Sequence, residues 1–277
     1  MIPESITIHS HKINHSATKF TLDYPMGSYI PSWKIFRAFT NENQLISKHI
    51  LSTKSWKKTK PSRILDIGTG DGLVLKAIIA GSLHPFSKVR VVEPNPILFR
   101  QAQQNLSSSK LYFTFEGLED DVMEVTEKVF QDIDLVLITH VLYLLQKNEM
   151  KKLLSLLPND VPVVIVTDTK KSLFPDCWSE TALKFFQRSQ FIHKVINQLQ
   201  QNGNYDIKTS TFRTFLQNPF LIDRDDLKER ILSMVCYSEF NELKPSVQKN
   251  IKKIMSRYSV EELVYCNSTC YEITKKS

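Results

Sequence analysis

Between residues 60 and 170 the apolar positions alternate between two rhythms. Short, nearly unbroken runs of Val, Ile and Leu predict strands at Arg63 to Ile67, Val89 to Val92, Leu111 to Phe115, Asp134 to Thr139 and Val161 to Thr167. The stretches between them carry helical spacing, at Gly72 to Ala80, Ile97 to Leu106, Val122 to Phe130 and Met150 to Leu157. Strands apolar on both faces, separated by helices, predict a parallel sheet covered on both sides.

The flanks follow other patterns. Residues 1–33 are a polar, irregular arm carrying Tyr24, Tyr29 and Trp33. One helix is then predicted from Lys34 to Thr53, with Ile35, Phe36, Phe39, Leu45, Ile46 and Ile50 on its apolar face. Lys54 to Ser62 is a charged linker. After Thr169 a long helix is predicted from Trp178 to Gln201, stopping before Gly203. Tyr205 to Phe215 alternates and is rich in Thr, as an antiparallel strand would be. Helices at Arg224 to Tyr237 and Pro245 to Tyr258 precede a last strand, Leu263 to Ile273. The two late strands are expected to close the sheet and the helices to cap it. The expected fold is α/β: a doubly wound, seven-stranded, mostly parallel, Rossmann-like sheet with an N-terminal helical arm and a helical cap.

Composition narrows the function classes. The 277 residues are 42% hydrophobic and 10% aromatic, enough for a sizeable core. A net charge of +7 is mildly basic, but its clusters are short: Lys54, Lys57, Lys58, Lys60 and Arg63, then Lys249, Lys252 and Lys253. They read as solvated faces, which disfavours nucleic acid as a partner. Cys177, Cys236, Cys266 and Cys270 form no C-x-x-C and have no nearby His cluster, so neither a metal site nor a disulfide framework is expected. Met1 to Phe20 lacks the apolar segment of a secretory leader, and no apolar run is long enough to span a membrane. A cytoplasmic monomer is expected.

The strongest chemical signal is Ile64-Leu65-Asp66-Ile67-Gly68-Thr69-Gly70-Asp71-Gly72, which closes the first strand and opens the first helix. Gly68 and Gly70 allow a sharp turn and close backbone approach to a ligand. A dinucleotide loop, G-x-G-x-x-G, would need glycine where Leu73 stands, and Asp71 would repel a pyrophosphate. Glu93 ends the second strand in Val91-Val92-Glu93-Pro94, where a carboxylate can accept hydrogen bonds from both ribose hydroxyls of a nucleoside.

These residues resemble the class I S-adenosylmethionine (SAM)-dependent methyltransferase family over residues 60 to 170. The resemblance implies SAM as cofactor. Asp66, Gly68, Thr69 and Gly70 would serve its amino-acid end, and Glu93 and Pro94 its ribose. The stretch Gly117-Leu118-Glu119-Asp120, with Leu118 and Glu119 as the named contacts, would reach the adenine, and Thr139-His140 would pass behind the sulfonium. In segment order the whole chain looks like histamine N-methyltransferase and its relatives. The matching positions are Glu42-Asn43-Gln44, Leu142-Tyr143, Val91 to Pro94 and Asn267 in Tyr265-Cys266-Asn267-Ser268. That family has Gln where His140 and Leu98 stand here.

The resemblance divides the chain into an arm and helix contributing to the substrate site (1–56), a SAM-binding domain (57–169), a mostly helical substrate cap with one strand (170–260) and the terminal strand (261–277). It implies transfer of a methyl group to a small molecule, an amine first of all, held by Glu42, Tyr143 and Asn267, with His140 and Tyr143 as the catalytic pair. Each residue has a plainer reading. His140 serves either as a base or as a hydrogen-bonded structural group, Tyr143 as pocket wall or core, and Glu42 as a solvated helical carboxylate. Asn267 is unusual in a strand, which favours function. Strand four ends in Thr139-His140-Val141-Leu142 and not in an Asn/Asp-Pro-Pro-aromatic run, which disfavours nucleobase and glutamine nitrogens as acceptors. A protein or RNA methyltransferase, motivated by the net charge, and a non-catalytic SAM-binding protein are the alternatives.

Overall fold

A computed structural model describes residues 8–11, 26–108, 113–119 and 126–276. Six parallel strands, β1 (Ile8–His11), β2 (Arg63–Ile67), β3 (Lys88–Val92), β4 (Thr114–Leu118), β5 (Leu135–Thr139) and β6 (Val163–Asp168), pair with antiparallel β7 (Tyr205–Gln217) and β9 (Leu263–Lys275). Their order across the sheet is β1-β4-β3-β2-β5-β6-β9-β7, and a two-residue β8 (Ser259–Val260) pairs with β9. The seven expected strands are present. The eighth, β1, is an edge strand within the segment that reads as irregular, where four residues with a single large apolar side chain give no periodic signal.

Helices cover both faces, as the apolar strands require. One core layer buries Ile46 and Ile50 of α2 (Glu42–Ser52), Leu75 and Ile78 of α4 (Leu73–Gly81) and Phe99 of α5 (Pro96–Ser107). The other gathers α1 (Met26–Ala38), α6 (Lys147–Ser155), α7 (Leu173–Thr181), α8 (Leu183–Gln201), α9 (Asp225–Cys236) and α10 (Pro245–Tyr258). A short α3 (Lys54–Thr59) replaces the expected linker. Local chemistry sets several boundaries. Asn95 accepts hydrogen bonds from the N–H groups of Ile97 and Leu98 to open α5, with Pro96 in its first turn. Pro245 opens α10 in the same way.

Three expected elements differ. The single helix from Lys34 to Thr53 is two. It breaks at Phe39–Asn41, where the chain pairs with the end of β7: Asn41 accepts from the Phe215 N–H through its side chain, and the Gln217 N–H donates to the Phe39 carbonyl. The first of the two helices begins at Met26, so Trp33 is helical. The helix expected from Trp178 to Gln201 begins at Leu173 and breaks at Ala182, whose φ of −138° is not helical. β4 lies three residues later than expected, so Gly117 is a strand residue, where a Cβ would collide with the Phe99 ring at 2.5 Å. Leu111, Asp120 and residues 122–125 of the helix expected over Val122 to Phe130 lie outside the described residues; Glu127–Phe130 is a 3₁₀ turn.

Candidate active site

The carboxyl ends of β2, β3, β5 and β6 converge on one cavity enclosing about 130 Å³ of solvent-sized space. Open α/β sheets bind ligands at this end. Trp33 of α1, Trp178 of α7 and Tyr237, the residue directly after α9, line it as well.

The loop after β2 forms one wall. Gly68, Gly70 and Gly72 have φ of 71°, 59° and 74°, the left-handed region glycine tolerates. A Cβ on Gly68 would meet the Val141 side chain at 2.5 Å. Beneath the loop, Asp66 accepts from the Thr69 hydroxyl at 2.7 Å, its other oxygen has no partner, and burial pushes its carboxyl up to about 7. Glu93, at the tip of β3, accepts from the Gly70 N–H at 2.8 Å and the Asn95 N–H at 3.0 Å. Burial outweighs these bonds and raises it to about 7 as well. Glu93 therefore ties the loop to the strand tip while lining the cavity.

His140 follows β5 with φ 52°, unusual for a residue with a side chain. The turn aims its ring between two carboxylates, with Nε2 3.5 Å from Glu42 and Nδ1 3.7 Å from Asp168. Burial disfavours the charged imidazole, but Glu42 and Asp168 outweigh it and hold its pKa above the ordinary value. Asp168, at the tip of β6, is itself raised, chiefly by burial. His193 braces this tip, donating from Nε2 to the Asp168 carbonyl at 2.9 Å. Tyr143 lies edge-on to His140 at 6.3 Å between ring centres and 4.9 Å from Trp178. Its hydroxyl joins those of Tyr29 and Tyr237 in a buried cluster, with all three phenols raised mainly by burial.

The cavity thus brings together Glu42, Gly68, Thr69, Gly70, Glu93, Pro94, Thr139, His140 and Tyr143 from the sequence-based set. Others lie apart. Asp66 is behind the loop. Leu118 packs against the core at the end of β4, its carbonyl accepting from the Glu93 N–H, and Glu119 is exposed; neither lines the cavity. Asn267 does not line it either. Successive residues of a strand face opposite ways, and it is the neighbouring Cys266 whose thiol feels Glu42 and Asp168, while the Asn267 carbonyl accepts from the Thr169 N–H. Sequence reasoning missed Asp168, Arg37, Trp178 and Tyr237. Asp168 ends the run Val163-Val164-Ile165-Val166-Thr167-Asp168 as Glu93 ends β3, and the same strand-tip rule would have found it. Among the described residues no cluster of His, Cys, Asp and Glu could hold a metal ion, and no helix is long and apolar enough to cross a membrane.

Two solved structures superpose over nearly the whole chain. The plantazolicin methyltransferase BpumL, in complex with a triazolic desmethylPZN analogue and SAH, has 16% identity and a TM-score of 0.52, covering 94% of this chain and 95% of its own. A methyltransferase candidate from Bacillus halodurans C-125 has 11% identity and a TM-score of 0.51, covering 84% and 97%. The fold is that of the methyltransferases. No family model and no curated protein matches the sequence. The methyltransferase fold places its cofactor at the carboxyl ends of the strands, and this chain's features there fit SAM. The loop has three left-handed glycines, the space above Gly68 would be filled by a Cβ, and a carboxylate tips the next strand.

Proposed function

We propose that this chain is a SAM-dependent methyltransferase acting on a small molecule, an amine first of all. The observation that carries the reading is that the glycine loop and Glu93 open into the same cavity as His140, Glu42 and Asp168. Gly68, Thr69, Gly70, Glu93, Pro94 and Thr139 would hold SAM, with Asp66 organising the loop from below. Leu118, whose carbonyl accepts from the Glu93 N–H, and Glu119 would border the adenine, although neither lines the cavity. SAM, when bound, supplies a methyl group to a nucleophile in line with its sulfonium.

The chain's own residues then have definite tasks. Glu42 and Asp168 make the acceptor end of the cavity anionic, which suits an ammonium. Tyr143, Tyr29, Tyr237 and Trp178 wall it with aromatic faces that favour a cation. An ammonium must lose a proton before it is a nucleophile, and His140 is the group placed to take one. The carboxylates on either side stabilise the imidazolium that forms. Positioning does the rest. The helices from 170 to 260 serve as the substrate cap, the arm of residues 1–56 contributes Glu42, and residues 57–169 hold the cofactor.

The net charge of +7 does not gather here. Lys54, Lys58, Lys208, Lys275 and Lys276 surround a groove at the opposite end of the sheet, with Asp160 and Asp206 among them, which supports a small acceptor over an RNA at the cavity. Of the positions that carry the likeness to histamine N-methyltransferase, Glu42, Glu93, Pro94 and Tyr143 line the cavity and Asn267 does not. The test is methyl transfer from labelled SAM across small amines, phenols and carboxylates. Transfer to amines is expected, and transfer confined to phenols or carboxylates would overturn the amine assignment. A folded protein showing no calorimetric response to SAH would overturn the whole reading.

A further inference from the structure

The outer edge of the sheet at β7 is open over most of its length. β7 and β9 keep one antiparallel register from Tyr205↔Lys275 to Gln217↔Leu263, so successive β7 residues direct their backbone N–H and C=O alternately toward β9 and away from it. The far end of β7 shows which set faces away. Phe215 donates to the Asn41 side chain and accepts from the Asn41 N–H, and Gln217 donates to the Phe39 carbonyl. The odd-numbered residues therefore face outward. Residues 39–41 cover the last of them, but the outward groups of Tyr205, Ile207, Thr209, Thr211 and Arg213 have no hydrogen-bond partner among the described residues. Side chains at the even positions point to the face that carries α2 and α3. Ser210 bonds His49, Phe212 stacks on His49 at 4.2 Å, and Lys208 sits opposite Glu272, whose carboxylate is taken by the Ser55 N–H. At the amino-terminal ends of the strands, Lys54, Lys58, Lys208, Lys275 and Lys276 line a groove enclosing about 710 Å³ of solvent-sized space. Asp160 and Asp206 are its only acids, and Asp206, 3.7 Å from Lys208, is the one carboxylate that pairs with these lysines among the described residues.

We propose that the edge of β7 docks an extended acidic segment of a partner protein, which adds a strand to the sheet and lays its carboxylates against the lysine groove. Main-chain bonds to the outward groups would supply affinity, and acids at every second position would all fall on the groove's face. The groove has no arginine fork for phosphate and no aromatic ring on which a base could stack, which sets a peptide above a nucleic acid. A lysine on an open edge deters neutral and basic strands and admits an acidic one. It also deters a second copy, because self-pairing of β7 about Thr209 would bring the two Lys208 side chains into diagonal reach on one face. β7 runs in the same direction as β6, so the docked segment would lie along the path from the groove toward the cavity end of the sheet.

The test is fluorescence anisotropy of the full chain with a labelled, end-capped peptide of alternating Thr and Glu, about ten residues long to match the open edge. Three comparison probes are the same residues arranged as a Thr block and a Glu block, the alternating peptide with Lys for Glu, and a single-stranded RNA of matching length. The wild type is expected to bind the alternating acidic peptide best, with affinity that falls as salt rises. Thr209→Pro with Thr211→Pro removes two outward N–H groups and none that bonds β9, a place where an edge strand tolerates proline. This variant is expected to bind the peptide about 10- to 100-fold more weakly, as the loss of two backbone hydrogen bonds implies, with an unchanged melting temperature. Lys54→Gln, Lys58→Gln and Lys208→Gln together leave the backbone intact and are expected to weaken binding at low salt and to flatten its salt dependence. Equal binding of the alternating and block peptides, or full binding by the proline variant, would leave only bulk charge and overturn strand addition. RNA binding tighter than the alternating peptide would give the groove to nucleic acid. A wild-type dimer that the proline variant dissolves would give the edge to a second copy. No binding of the alternating peptide up to about 1 mM would overturn the proposal outright.

Discussion

The two ends of the parallel sheet carry the same kinds of charged side chain in opposite circumstances. Toward the amino-terminal ends, Asp134 accepts from the backbone N–H groups of Ser62 and Arg63, from the Ser62 hydroxyl and from the Arg63 guanidinium. At the middle of β4, still away from the carboxyl ends, Glu116 accepts from Arg90 and pairs with Lys88. Burial raises both carboxyls, but these partners outweigh it and hold them below the usual range. At the carboxyl ends the balance reverses. Asp66 and Glu93 are pushed up to about 7 and Asp168 is raised, in each case chiefly by burial. One oxygen each of Asp66 and Asp168, and Nε2 of His140, are buried without a hydrogen-bond partner. One end uses its charges to hold the sheet together. The other keeps charges at a cost in stability, which is the condition expected of a site awaiting a polar ligand.

The sharpest way to break this comparison is to remove the group between the unsatisfied carboxylates. If His140 takes the acceptor's proton, His140→Ala should lower kcat by about 10²- to 10⁴-fold and leave SAH affinity within about threefold. The pH profile of kcat should rise through a value above the ordinary histidine range, because the neutral ring is the base and its pKa is raised. An inflection below that range, or a variant with undiminished turnover, would remove His140 from the chemistry.

The next effect is on stability. Asp66 holds its proton up to about pH 7 when folded, whereas in the unfolded chain it ionises near the ordinary aspartate value of 3.8. Its stabilising contribution is therefore complete below the unfolded value and is lost as pH rises through about 7. Between pH 5 and 8 the ligand-free protein should lose roughly 3 kcal/mol on this account, and Asp66→Asn should flatten that slope. Asp134 has the opposite sign: its contribution is present above the unfolded value and is lost as pH falls through its lowered folded value. Asp134→Asn should flatten only the acid side. Denaturant melts across the range decide the matter, and parallel pH slopes in the two variants would mean that the two ends do not differ.

The parts of this picture that were legible in the sequence are local. Gly68 to Gly72 and Glu93 announce themselves because a turn of this kind needs glycines at set offsets and because a strand tip is visible as the end of an apolar run. The break between α1 and α2 could not be seen, since the pairing of Thr40 and Asn41 with Phe215 and Leu216 sets it across about 175 residues of sequence. That break carries Arg37 to the loop and puts Glu42 against His140, so Arg37 and the Glu42–His140 contact could not be seen, although Glu42 and His140 were each singled out. Asn267 failed for a subtler reason. Its strand was identified, but a single strand's sequence does not say which pleat turns toward the site; Cys266 is on the pleat nearer Glu42 and Asp168, and neither it nor Asn267 lines the cavity.

Glu93→Ala sharpens the comparison from the ligand's side. If the carboxylate receives ribose hydroxyls, the substitution should cost about 2–3 kcal/mol of SAH affinity. Glu93 is protonated below about pH 7 in the ligand-free protein, and the ionised form is the better acceptor. Wild-type affinity should therefore weaken on acidification from pH 8 to 6, with proton release on binding detectable by titration in buffers of different ionisation enthalpy. Affinity independent of both pH and the side chain would leave Glu93 as a brace for Gly70 and nothing more.

The smallest effect comes from the two ends of a single strand. Asp132, three residues before β5, and His140, directly after it, both adopt left-handed backbone, with φ of 56° and 52°. Glycine removes that strain at either place. The Asp132 side chain is 72% exposed and lies 3.9 Å from Arg63, an ion pair of little consequence. Asp132→Gly should therefore raise stability by about 0.5–1 kcal/mol, with SAH affinity unchanged. His140→Gly relieves the same strain but leaves Glu42 and Asp168 facing an empty space where a partly charged imidazole had been. At pH 6, where the ring carries charge, that loss should cancel or exceed the gain. Melting both variants at pH 6 compares one substitution in one backbone conformation at the two ends of one strand. If His140→Gly stabilises as much as Asp132→Gly does, the carboxylates at the carboxyl end do not depend on the imidazole, and the electrostatic argument for His140 fails with them.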